Sequence, residues 1–137
     1  MALTHLVETS ALTRLNQLSI QERLKPLCSN GMAARAGISD LEIGFSARNL
    51  REWDGAALAL GAFDLIETQA AHVRRARQVQ RLLAQTSRPG RKIPDLLIAA
   101  AAEQANLVVL HYDADFDLIS EVTGQACEWI VPAGSID

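Results

Sequence analysis

Cysteine is scarce in this chain. There are two, Cys28 and Cys127, and their spacing fits neither a disulfide framework nor a zinc motif. A stapled secreted scaffold is therefore excluded, and two reduced thiols in a cytoplasmic protein are the expectation. No apolar run is long enough to span a bilayer. The first ten residues, MALTHLVETS, lack the basic start and long apolar stretch of a signal peptide. There is no glycine-rich phosphate loop, which argues against a nucleotide hydrolase. The three histidines, His5, His72 and His111, have no zinc spacing, and His5 and His111 read as structural residues near strand ends. Ser10 lacks the surroundings of a nucleophile elbow. Only six residues are aromatic, and no Lys or Arg follows Lys92.

What is present is an ordinary core-forming composition. Hydrophobic residues make up 49% of the 137 positions and charged residues 21%, which suits one domain spanning residues 1–137. The net charge of −3 names no partner, but its distribution is uneven. Nine of the thirteen basic residues lie between Arg48 and Lys92, and eight acids and no base follow residue 92. Acids without counter-charges repel one another. They are tolerated when spread through solvent or when they converge on a cation.

The residue pattern alternates strands with helices. Residues 3–7 predict a buried strand, followed by a helix capped at Thr9 or Ser10 that continues through Leu12 and Leu15. Ser19 and Glu22 have capping-box spacing for a second helix, which Asn30-Gly31 ends. Residues 32–36 suit a strand. Ser39 and Glu42 repeat the capping-box spacing for a third helix. Residues 51–63 read as helix and 64–67 as a brief strand. Residues 68–85 read as a long amphipathic helix with Val73, Ala76, Val79, Leu82 and Leu83 inward and Arg74, Arg75, Arg77 and Arg81 on its surface. Residues 86–92 form a Pro-Gly loop. Pro94 and Asp95 open a helix to about residue 105. Residues 107–111 predict a buried strand, 113–121 a loop becoming helix, and 127–131 a last strand. The alternation gives an α/β fold, a parallel sheet covered on both faces.

In such a sheet, functional groups gather beyond the carboxyl ends of the strands. Glu8 follows the first strand directly, Asp113 follows the strand ending at His111, and Asp95 and Glu42 open helices. Four acids from four separate segments can meet on one edge, where a hard divalent cation with oxygen ligands would neutralise them. Each acid alone has an ordinary role: Glu42 in a capping box, Asp95 at a helix start, Glu8 at a strand end, and Asp113, Asp115 and Asp117 in a solvated turn. The joint arrangement is what points to metal chemistry. An EF-hand reading of the 113–117 run fails, because Leu118 stands where glycine is required and Gly124 where glutamate is required.

Four segments, LVETSAL (6–12), SDLEIGFSAR (39–48), IPDLLIAAAA (93–102) and HYDADFDLI (111–119), resemble the signature segments of PIN-domain ribonucleases, and most closely the VapC toxins of bacterial toxin–antitoxin pairs. The resemblance covers nearly the whole chain, in order and at the right spacing. It implies a three-layer α/β/α fold with a four- or five-stranded parallel sheet. It also implies Mg²⁺- or Mn²⁺-dependent RNA cleavage with one or two cations, 5′-phosphate and 3′-hydroxyl products, homodimers, and inhibition by a VapB-type antitoxin. The family acids fall on Glu8, Glu42, Asp95 and Asp113, with Asp95 and Glu8 as the main metal ligands. Asp115 lies in the same motif as Asp113. Thr9 and Ser10 match positions near the metal. The family carries Asp where this chain has Glu8.

RNA approaching an acidic centre needs basic flanks. Arg48, Arg51, Arg88, Arg91 and Lys92 are the candidates for phosphate contacts. By analogy with the family, an amphipathic antitoxin segment would lie in an apolar groove between the helices bearing Leu12 and Leu15 and those bearing Leu41 and Phe45. The substrate would be transfer or ribosomal RNA. The rival expectation is a binding module in which Glu8 has disabled turnover and only antitoxin or RNA binding remains.

Overall fold

The computed structural model describes residues 2–87 and 91–137, so Arg88 lies outside the described residues. The elements run β1 (His5–Val7), α1 (Thr9–Leu12), α2 (Leu18–Ser29), β2 (Ala33–Ala36), α3 (Gly37–Phe45), α4 (Leu50–Leu60), β3 (Asp64–Ile66), α5 (Ala70–Gln85), α6 (Ile93–Gln104), β4 (Val108–His111), α7 (Asp115–Thr123) and β5 (Cys127–Trp129). The five strands form one sheet in the order β3-β2-β1-β4-β5, and every pairing is parallel. Strand order reverses between β1 and β4. In a parallel sheet that reversal leaves a crevice beyond the strand ends, where the two neighbouring chain segments turn away in opposite directions.

Successive strand residues feed opposite faces, as the pleat requires. Leu6, Ala34 and Val109 pack with Ala76, Val79 and Leu83 of α5, Ile98 of α6 and Phe116 and Ile119 of α7. Val7, Ala33 and Leu110 pack on the other face with Leu12, Ile20, Leu24, Leu27 and Leu60, contributed by α1, α2 and α4. The result is the expected α/β/α sandwich, with five strands. Among the described residues, no helix is long and apolar enough to cross a membrane.

Several local expectations give way to tertiary packing. α1 ends at Leu12 and does not reach Leu15, and its N-cap is Glu8 rather than Thr9 or Ser10. The Ser19–Glu22 box does not form, because α2 starts earlier, with Gln17 at the N-cap and no side-chain cap bond. α3 starts at Gly37, so Ser39 is a buried interior residue and no cap. In α5 the inward stripe is His72, Ala76, Val79 and Leu83. Val73 stands one residue out of that phase and is 48% exposed. Histidine holds the inward position because its Nδ1 accepts the Gln69 N–H at 3.1 Å in a capping box.

Candidate metal centre

The crevice at the β1/β4 reversal is where the acids collect. Asp95 sits in the first turn of α6, behind Pro94, and is 3% exposed. Asp113 follows β4, and its Oδ1 accepts the Asp115 N–H at 2.9 Å, which fixes the start of α7. Asp95, Asp113 and Asp115 each offer one carboxylate oxygen, and these oxygens lie within 4.8 Å of one another. Asp95 Oδ2 is buried with no hydrogen-bond partner among the described residues. A buried carboxylate oxygen without a donor is costly to leave unpaired. Three carboxylates offering hard oxygen donors this close together suit a metal cation.

Glu8 and Glu42 flank this trio without placing an oxygen inside it. Glu8 is 2% exposed, and its Oε2 accepts the Ser10 N–H at 2.9 Å as well as the Ser10 hydroxyl. Ser10 Oγ in turn accepts the Tyr112 N–H at 2.7 Å, which joins the end of β1 to the end of β4 across the crevice. Thr9 Oγ1 donates to Glu42 Oε1 at 2.7 Å. Its single proton is thereby used, so Ser39 Oγ, 2.8 Å away, is the donor in the Thr9–Ser39 contact. Ser39 is fully buried, and sequence reasoning gave it the wrong task. A capping-box spacing looks the same whether the serine caps its own helix or reaches another one.

The electrostatics register the crowding. Burial pushes the Glu8 carboxyl up to about 7, with Asp95 and Asp113 adding to the rise and the Ser10 hydrogen bonds opposing it. Burial likewise pushes Asp95 up to about 7; Asp113, Asp115 and Glu42 add to it, and Lys92 opposes it. Both residues therefore feel the other acids of the crevice, as groups sharing one site must. His111, stacked on Phe116 with ring centroids 5.1 Å apart, has its pKa lowered by burial, and its Nδ1 accepts the Asp113 N–H at 3.2 Å.

Two of the basic candidates reach the centre. Arg91 Nη1 lies 2.8 Å from Asp115 Oδ1, and Lys92 Nζ lies 3.8 Å from Asp113 Oδ2. Arg48 is tied instead to Glu52 at 2.7 Å on the surface, and Arg51 is exposed at the start of α4. The apolar groove also differs from expectation. Leu12 is 4% exposed and so is not available to a partner, while Leu15 is half-buried against the core. On α3 and α4, by contrast, Leu41, Phe45, Leu50, Trp53 and Leu58 are exposed. A small cavity of about 90 Å³ lies between those helices, over the Arg35–Asp40 ion pair and beside Trp53. Gly44 permits this approach, since a Cβ there would stand 2.8 Å from Trp53 Nε1.

The family described as PIN domain matches residues 6–122. Ribonuclease VapC51 of Mycobacterium tuberculosis is 60% identical over 137 residues, covering 100% of both chains. Ribonuclease VapC21 of the same species is 39% identical over 139 residues, covering 98% of this chain and 99% of the relative. Among solved structures, DNA-bound VapBC from Salmonella typhimurium superposes with a TM-score of 0.80 at 18% identity, over 94% of this chain and 99% of that one. VapBC-1 from nontypeable Haemophilus influenzae gives 0.76 at 18% identity, over 95% and 98%. These two likenesses concern the fold.

Proposed function

The chain belongs to the PIN-domain family, among the VapC ribonucleases, and on that premise we propose that residues 1–137 form one nuclease unit in which Asp95, Asp113, Asp115, Glu8 and Glu42 carry a metal-dependent endoribonuclease centre. The protein is the toxin of a toxin–antitoxin pair, hydrolysing RNA phosphodiester bonds, with transfer or ribosomal RNA as substrate. The single observation that carries the site is the approach of the Asp95, Asp113 and Asp115 carboxylates to within 4.8 Å of one another, with one oxygen of the buried Asp95 left without a hydrogen-bond partner among the described residues. Mg²⁺ or Mn²⁺ is the cation this donor set suits. When bound, it supplies charge neutralisation to the scissile phosphate and acidity to a water molecule.

The side chains divide the remaining work. Asp95, Asp113 and Asp115 would hold the cation. Glu42, aimed by Thr9, and Glu8, aimed by Ser10, present fixed carboxylates at the rim, where they can accept a proton from attacking water. Arg91 and Lys92 stand beside the acids and are placed to meet substrate phosphate once the cation takes over the carboxylates. Arg48, Arg51 and Arg88 remain candidates for contacts further along the RNA. The partner is a VapB-type antitoxin, and the exposed apolar face of α3 and α4 suits its amphipathic segment. The toxin acts as a homodimer.

One observation favours the rival reading of an impaired binding module: an oxygen of Glu8 is engaged in capping α1 and is turned toward Ser10. Turnover decides between the two. Purified chain with Mn²⁺ should cut a total tRNA or rRNA pool and stop on addition of EDTA, and Asp95→Asn should be inert. If neither this chain nor Glu8→Asp cuts any RNA with either metal, the nuclease reading fails and the binding module replaces it.

A further inference from the structure

The strongest feature that the acid centre does not use is the outer face of α5. This 16-residue helix, AAHVRRARQVQRLLAQ, contains four arginines and no acid. One of the four is structurally committed: Arg75 Nε lies 2.7 Å from Glu103 Oε1, and its Nη1 donates to Gln78 at 3.0 Å. Arg74, Arg77 and Arg81 are exposed and have no ion pair or side-chain hydrogen bond among the described residues. Their spacing of three and four residues puts them on one face, as a ridge about 10 Å long at 1.5 Å of rise per residue. With Gln78, Gln80 and Ala84 they make up one open face of the helix.

Like charges at such spacing repel, and no ion pair among the described residues compensates them. The protein is acidic as a whole, with net charge −3, so the ridge is a local reversal of sign. Guanidinium groups match phosphate by paired donors, which a surface needing only solubility does not require. The interleaved glutamines add neutral donors and acceptors suited to sugar hydroxyls. A polyanion approaching the acid centre is repelled there until a cation is bound, so its hold on the protein must come from elsewhere. α5 packs on α6, which carries Asp95, and the connection between them delivers Arg91 and Lys92 to Asp115 and Asp113.

The geometry points to Arg74, Arg77 and Arg81 as a phosphate-binding ridge that holds the RNA backbone away from the point of cleavage. This rests on the reading of the chain as an RNA-cleaving enzyme and adds a second anchoring surface to it. The ridge reads charge and not sequence, so it sets affinity and not the cleavage site.

The test is fluorescence anisotropy of a labelled, mixed-sequence single-stranded RNA in EDTA, titrated with the full chain at several salt concentrations. Combining Arg74→Gln, Arg77→Gln and Arg81→Gln should lower the slope of log K against log salt by about 2, at about 0.7 for each phosphate contact on a single strand. Arg77→Gln alone should lower it by about 0.7, which keeps the test decisive if the triple variant folds poorly. Arg75→Gln, whose guanidinium is already held by Glu103, should leave the slope unchanged. With Mn²⁺, the triple variant should raise KM for long RNA and leave kcat unchanged on an oligonucleotide too short to reach α5. An unchanged slope in the folded triple variant overturns the ridge while leaving the nuclease reading intact. So does displacement of the RNA by polyglutamate at equal charge concentration, which would assign the ridge to an acidic protein segment. A ridge-dependent slope in a chain that never cuts RNA would refute the nuclease reading and keep the ridge.

Discussion

Removing the cation from this protein should make its stability fall as pH rises, and the size of the fall can be worked from the acid centre. Glu8 moves from an ordinary value of 4.5 to about 7, and Asp95 from 3.8 to about 7. Between about pH 4 and pH 7 the folded chain therefore holds protons that the unfolded chain has released. Raising the pH through that window costs the folded state free energy. Below it the penalty is absent, and above it the penalty is complete and constant. At about 1.4 kcal/mol per unit, the shifts correspond to roughly 3 and 4 kcal/mol. Part of the Glu8 shift is repulsion by Asp95, so the two shifts are not independent and the pair together costs on the order of 5 kcal/mol. Both groups are buried, so little is lost to solvent screening. A domain's whole stability is about 5–15 kcal/mol, so the effect is large, on the order of 15 °C in melting temperature.

The assay is a series of thermal melts of EDTA-treated protein from pH 5 to pH 8, repeated in Mn²⁺. The metal-free protein should lose stability across the series, and Mn²⁺ should restore more at pH 8 than at pH 5, because it binds deprotonated carboxylates. His5 and His111, whose pKa values are lowered by burial, act in the opposite sense: as pH falls below about 6.5, the unfolded state gains their protons first. Comparison with Asp95→Asn removes that contribution and should show a much flatter pH dependence. A metal-free protein whose melting temperature is flat or rises from pH 5 to pH 8 relative to Asp95→Asn refutes the reasoning.

Asp95→Asn itself should abolish cleavage and raise metal-free stability at pH 8 by about 1–3 kcal/mol, since it replaces a crowded buried charge by a neutral isostere; chemical denaturation in EDTA measures this. Thr9→Val should cost about 1–3 kcal/mol by leaving the buried Ser39 hydroxyl without its acceptor, and it should slow cleavage by freeing Glu42, checked by urea melts and single-turnover kinetics. Trp53→Ala should weaken capture of a VapB-type antitoxin by about 2 kcal/mol or more, read by calorimetry, while catalysis of the free toxin stays intact. Equal antitoxin affinity would move the docking face away from α3 and α4.

The central strands β1 and β4 were legible as short β-prone apolar runs, HLV and VVLH, and each acid follows one of them or opens a helix. That logic placed Glu8, Asp95 and Asp113 at one edge. What was not legible has a common physical cause. Ser39 and Glu42 have the spacing of a local cap, but the hydrogen bonds that form run to Thr9, thirty residues earlier. Val73 fits an apolar stripe by composition, yet His72 takes the inward phase through a contact only the folded N-terminus of α5 provides. Asp115 looks like a secondary member of its motif, but the turn of α7 brings its carboxylate into the trio. In each case local pattern and tertiary partner compete, and sequence reveals only the first. The arginines of α5 were read as plain surface for the same reason: Arg75 differs from its neighbours only through Glu103 on another helix.

The adjacent pair Thr9-Ser10 shows how the site holds a glutamate at position 8, where the resemblance implied an aspartate. The two hydroxyls serve different acids. Thr9 reaches across to Glu42 on α3, while Ser10 binds Glu8 and also receives the Tyr112 N–H from the end of β4. The first turn of α1 is therefore a bracket tying β1, α3 and β4 together at the sheet's reversal point. Within that bracket the extra methylene of Glu8 is taken up by folding the carboxylate back onto its own helix, where it caps α1. The carboxylate trio of Asp95, Asp113 and Asp115, the proposed cation ligands, is built from α6 and the β4–α7 turn and does not include Glu8. The departure at residue 8 is thus absorbed by the bracket, and Glu8→Asp should alter the rate of turnover more than the affinity for Mn²⁺. Equal cleavage rates in the two proteins would show that the added methylene of Glu8 does not disturb turnover.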